Sequence, residues 1–322
     1  MTPELWITRG NHLVDPTMSV WAWQIPIYLF LGGWVAGMMV LSGHYLMRGQ
    51  QAGRDCMCRF TPWIGLVLLS LGMFALFLDL EHKPYVWRLY TTFEVASPMS
   101  WGAWILVLVY PVLLATALVR PPDWLSTLVP PAGRLSVWLG AAPGRVRVVA
   151  GLNIVLGAAL GIYTGILLSA LGARPLWSSA MLGPLFLLSG LSSAAAFVHM
   201  VARSAEEREG LARADNVFLL LELAAILLFF VGLLSSTEVH KAAAGLLLGG
   251  PFTAVFWVGV VGLGIALPLV IQSLATRHRV QHTALAPLLV LAGGLALRFV
   301  IVYAGQASHW AVGSARLLRH VG

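Results

Sequence analysis

Arg298 lies inside the last long apolar run of the sequence, in Gly-Gly-Leu-Ala-Leu-Arg-Phe-Val-Ile-Val-Tyr-Ala-Gly-Gln. A guanidinium near the centre of a membrane helix costs roughly 3 kcal/mol on insertion scales, so it is kept there for a partner or a substrate. Asp79 and His82 close an earlier apolar run. A carboxylate three residues from an imidazole can act as a general acid–base pair. Arg298 is expected to pair with Asp79, which lowers the bilayer cost of both charges. Towards the opposite side of the chain's apolar runs stand His44, His199 and Glu222. A buried carboxylate facing two histidines is suited to relaying protons.

Such residues need elements long enough to hold them. The chain has 322 residues, 59% hydrophobic and 10% charged, with mean hydropathy +0.84, whereas a soluble domain carries about 25% charged residues. About 20 apolar residues cross a hydrocarbon core of roughly 30 Å. Eight runs qualify: Gln24 to Met47, Thr61 to Leu80, Trp101 to Val119, Arg147 to Leu171, Ser178 to Val201, Val217 to Leu234, Phe252 to Leu274 and Ala284 to Tyr303. The expectation is an all-α, polytopic membrane protein forming a single integral membrane domain over residues 1–322. Residues 1–20 hold Glu4, Arg9, Asn11, His12 and Asp15 and lack the order of a cleavable signal peptide.

Alternate connections differ in charge. Arg9, Lys83, Arg88, Arg174, Lys241, Arg316 and Arg319 fall on one side. Twelve arginines fall on the other, among them Arg48, Arg59, Arg120, Arg145 and Arg208. The positive-inside rule makes the twelve-charge side cytoplasmic, with both termini outside. These topogenic arginines account for the net charge of +7, and no nucleic-acid partner is needed to explain it. Residues Arg203 to Asp215 mix both signs and read as a solvated helix end, and Arg120 to Val146 reads as a surface connection. Cys56 and Cys58 read as loop thiols, since an iron–sulfur cluster or structural zinc takes four ligands; no metal site is expected.

Near the outer boundary the chain gathers Trp21, Trp23, Gln24, Asp79, His82, Tyr85, Trp87, Tyr90 and Tyr163. Part of this is the aromatic belt of any membrane protein. The polar members suit an amphiphilic ligand such as a quinone, whose head needs hydrogen-bonding groups in a flat apolar cleft open to lipid.

Five segments resemble a known family. They are Trp23-Gln-Ile-Pro-Ile-Tyr-Leu-Phe-Leu-Gly-Gly-Trp-Val-Ala-Gly37, Asp79-Leu to Lys-Pro84, Ser97-Pro-Met-Ser-Trp-Gly102, Tyr163-Thr-Gly-Ile-Leu-Leu168 and Leu297-Arg-Phe-Val-Ile-Val-Tyr-Ala-Gly-Gln306. In this order they are similar to the NrfD/polysulfide-reductase membrane subunits. The resemblance implies eight helices in two four-helix bundles that exchange electrons with menaquinone or ubiquinone. It also implies a ferredoxin-like iron–sulfur partner and a molybdopterin catalytic subunit, with no cofactor bound covalently to this chain. It places the quinone head near the outer face, held by Tyr163 and by polar groups near the start of the first span, Gln24 and, earlier, His12. Proton transfer then involves Asp79, His82 and Arg298 at the head, with Glu222, His199 and His44 leading away. With the charge count, this predicts a respiratory complex in the bacterial cytoplasmic (inner) membrane, its partner docked on the periplasmic side.

Three other readings stand beside this one, two of them using the same residues. A di-haem cytochrome b type anchor pairs His44 with His199 and His82 with His240. A secondary transporter builds a midplane site from Arg298, Asp79 and glycine-broken helices, although no internal repeat is evident. A passive anchor uses none of them.

Overall fold

The computed structural model describes residues 21–49, 59–95, 97–122, 129–170, 174–277 and 283–310. Asn11, His12, Cys56 and Cys58 lie outside the described residues. Eight helices are long and apolar enough to cross a membrane: α1 (Gln24–Met47), α2 (Thr61–Asp79), α3 (Pro98–Val119), α4 (Pro143–Ala170), α5 (Leu182–Val201), α6 (Ala205–Leu234), α7 (Val255–Thr276) and α8 (Leu285–Ala307). The shortest has 19 residues, or about 28 Å at the α-helical rise, close to the thickness of a hydrocarbon core. No strand occurs among the described residues. The chain is an all-α, multi-pass membrane protein.

Contacts close one ring through α1, α2, α3 and α4 and a second through α5, α6, α7 and α8. Helix α1 joins them by packing on both α5 and α8. Lipid offers apolar groups the same environment as a neighbouring helix, so the drive for helices to associate comes from close packing. Small residues supply it at this joint. A Cβ on Gly37 would stand 2.3 Å from the Gly190 carbonyl oxygen, and one on Gly190 would stand 2.2 Å from that of Gly33. The Gly33-x-x-x-Gly37 spacing therefore lets α1 and α5 touch backbone to backbone.

Helix α6 begins at Ala205, well before the apolar run at Val217. Its N-cap explains the difference. Ser204 Oγ accepts from the Glu207 backbone N–H at 3.1 Å, the Ser-x-x-Glu pattern that opens helices. Leu211, Ala212, Asp215, Leu219 and Glu222 then form one buried face. Helix α7 starts as a π-helix over Val255–Ala266 and returns to α winding at Leu267. The change falls at Pro268, which has no N–H to give an ordinary helical ladder.

Between α3 and α4 a short helix, Pro130–Gly140, exposes Val137 and Trp138. The Arg145 guanidinium lies 4.3 Å from the Trp138 ring centroid, so this connection follows the surface. Arg174, counted above among loop charges, is instead buried. Its Nη1 donates to the Ser308 carbonyl oxygen at 3.0 Å and meets His309 Nδ1 at 3.0 Å. Beside it Trp177 stacks on Trp21 with centroids 5.1 Å apart. Gln306 grips both the N–H and the carbonyl of Trp21, at 3.0 and 2.9 Å, pinning the entry of α1 to the end of α8.

Candidate functional site

Two polar regions lie inside this apolar frame. The first is at the Asp79 end of the ring α1–α4. Tyr163 on α4 is 6% exposed, and its ring rests on Gly102 of α3. A Cβ there would lie 1.9 Å from both Cζ and Oη of the phenol. The Tyr163 hydroxyl has no hydrogen-bond partner among the described residues. Tyr28 on α1 lies near enough to Tyr163 and Tyr90 to interact with both electrostatically. Gln24 is one helical turn outward from Tyr28, and its Oε1 is buried without a hydrogen-bond partner. Tyr90 belongs to the connection between α2 and α3. Burial, then neighbouring Tyr110, push its phenol above the usual tyrosine range, keeping it a proton donor.

Asp79 and His82 stay at the rim. Asp79 is the last residue of α2 and partly exposed, and His82 is exposed at the head of the turn Lys83–Tyr85. Further along, the Arg88 guanidinium covers the Tyr85 ring at 4.7 Å.

The second region is in the ring α5–α8. Arg298 is fully buried. Its Nη2 donates to the Phe186 carbonyl oxygen at 2.9 Å, and its Nη1 to the Gly294 carbonyl oxygen at 3.1 Å and to Ser189 Oγ. The guanidinium carbon also lies 4.7 Å from the Phe186 ring centroid. Glu222, 3% exposed, lies near enough for the Ser189 hydroxyl and Arg298 both to act on its carboxyl group electrostatically. The expected pairing of Arg298 with Asp79 does not form. Most of the donors of Arg298 are turned to α5 and to its own helix, and Glu222 is the carboxylate that it senses.

Two turns before Glu222 on α6, Asp215 is fully buried. It accepts from Ser192 Oγ and from Gln272 Nε2, both at 2.7 Å. This corrects the reading of Arg203 to Asp215 as a solvated end. Arg213 does form a surface pair with Glu209, but the same helix turns Asp215 inward. His199 is buried near the end of α5, whereas His44 is exposed near the end of α1. His44, pointing out of the bundle, therefore does not face Glu222 as expected.

Sequence reasoning alone misses Asp215 and Tyr28. Asp215 has a signal in its seven-residue spacing from Glu222, two helical turns on one face. Tyr28 has one in its four-residue spacing from Gln24.

An eight-span helical protein that buries phenols at one end and a guanidinium and carboxylates in its second ring is a membrane protein built around polar chemistry. The family model described as "Polysulphide reductase, NrfD" matches residues 12–309, and the chain belongs to that family. It is 32% identical to the C component of polysulfide reductase from Wolinella succinogenes, over 89% of this chain and 94% of that protein. It is 34% identical to protein NrfD of Escherichia coli, over 89% and 95%. A more distant relative is the C component of selenate reductase from Mesobacillus selenatarsenatis, 24% identical over 93% of this chain and 78% of that protein.

Proposed function

We propose that this chain is the quinone-interacting membrane subunit of a respiratory oxidoreductase complex. It exchanges electrons between menaquinone or ubiquinone and an iron–sulfur partner subunit, which in turn serves a molybdopterin catalytic subunit. Two relatives are named as single components of larger reductases, which supports membership of a complex. The protein sits in the bacterial cytoplasmic membrane with the Asp79 end, and its partner, on the periplasmic side.

The observation that carries the reading is Tyr163, a buried phenol that has no acceptor among the described residues and is seated on a glycine that no side chain can replace. A phenol so placed donates to a carbonyl oxygen of a flat ring. Gln24, with its orphaned Oε1, supplies an acceptor for the hydroxyl of the reduced ring. Quinol oxidation releases two protons with its two electrons. Tyr28 and Tyr90 bridge from Tyr163 to the rim, where Asp79 and His82 meet water and accept or return them. Arg298 and Glu222 belong to the second ring, where Glu222 takes up protons led away from the head group and Arg298 is the fixed cation beside it.

Tyr163→Phe removes only the phenol oxygen. In the intact complex it should lower quinol-linked turnover about tenfold or more, the equivalent of about 1.4 kcal/mol in the transition state. Wild-type turnover at normal expression would put the head group elsewhere.

A further inference from the structure

Asp215 has no part in the head-group reading, yet it is one of the two carboxylates buried in the second ring. Charge counting makes it unusual. The groups facing the cluster are Ser189 and Ser192 on α5, Asp215 and Glu222 on α6, Gln272 on α7 and Arg298 on α8. Helix α7 carries no charged residue. Glu238, His240 and Lys241 stand beyond the opposite end of α6, on the helix Glu238–Gly245. Arg298 is the one guanidinium among these groups, and its charge acts on Glu222. Asp215 therefore has no cation of its own among the described residues and is surrounded by neutral partners. A buried carboxylate without a counter-ion is so costly that it takes up a proton instead.

The partners suit both states of the acid. Ser192 Oγ can donate to a carboxylate or accept from a carboxylic acid. Gln272 is 1% exposed and uses Nε2 towards Asp215, while its Oε1 is buried and unpartnered. A half-turn of the amide exchanges the two atoms, so that Oε1 accepts the acid's proton. Both oxygens of Asp215 are thus held by groups that reverse their role, whereas Glu222 answers to a fixed cation.

We propose that Asp215, with Ser192 and Gln272, is a proton-binding site of the second ring, distinct from the quinone head site. The proton is carried on a carboxyl oxygen of Asp215 and is donated in a hydrogen bond to Ser192 Oγ or to Gln272 Oε1. The site lies ten residues into α6, about 15 Å along the helix from its start at Ala205. It rests on the quinone reading only for what the proton serves. The charge count stands without it.

Infrared spectroscopy of the purified complex in lipid, in light and heavy water, reads a protonated carboxyl directly through its carbonyl stretch. The wild type should show a carboxylic-acid band that shifts on deuteration and is lost in Asp215→Asn. In Ser192→Ala the band should move to higher frequency as the acid loses a partner. A wild type with no such band, or a band that persists unchanged in Asp215→Asn, overturns the site. A silent Tyr163→Phe phenotype with the Asp215 band intact would sink the head-group assignment alone.

Discussion

At the scale of single residues, the contact between Gly102 and Tyr163 makes a sharp demand. A methyl group at position 102 would sit on top of the phenol, so Gly102→Ala must displace the ring, at a cost of about 1–3 kcal/mol for overpacking. Quinol turnover should fall about as far as in Tyr163→Phe. Because both substitutions act on one contact, the double variant should be no slower than the worse single one. Fully additive losses would show that Gly102 serves only helix packing. Tyr163 and Arg298 are legible in the sequence because each interrupts an apolar run with a group that hydrocarbon rejects. Tyr28 is not, since a tyrosine near a membrane boundary looks like one more member of the aromatic belt. Asp215 is hidden for a different reason. It stands among Arg208, Glu209 and Arg213, where composition suggests water, and only the helical phase turns it inward.

Whole elements are easier to read than their ends. Apolar length fixes where a chain must cross, so eight spans are visible without any structure, but hydropathy does not register a cap. The beginning of α6 is written in Ser204 and Glu207 rather than in its apolar stretch. Ser204→Ala should cost about 1 kcal/mol of stability, seen as a lower Tm in detergent with the spectrum of a fully helical protein. The joint between the rings depends on backbone approach rather than on side-chain mass. Gly190→Val would drive two methyl groups into Gly33 and should destabilise the protein more than the lost cap does. The same substitution should also disturb Arg298, because Gly33 is where a Cβ would stand 3.1 Å from its Nη2. A Gly190→Val protein with wild-type Tm would mean that α1 and α5 do not touch as described.

For the molecule as a whole, sidedness decides which face the partner can use. Lys and Arg are fewer on the connections beside Asp79, Tyr85 and Lys83 than on those beside Arg48, Arg59 and Arg208, and membrane insertion retains the richer side in the cytoplasm. The phenols of the head site open towards the poorer side. On the proposed reading, a partner passing electrons to that site docks outside, where Trp87, Phe93 and Trp101 are exposed. Replacing Cys56 and Cys58 by serine and placing one cysteine at a time gives a direct reading. Glu81→Cys should react with a membrane-impermeant maleimide in intact spheroplasts, and Glu206→Cys only after the membrane is opened. The reverse pattern would move the head site to the cytoplasmic face. Quinol protons would then be released inside rather than outside, and quinol oxidation would no longer deliver them across the membrane.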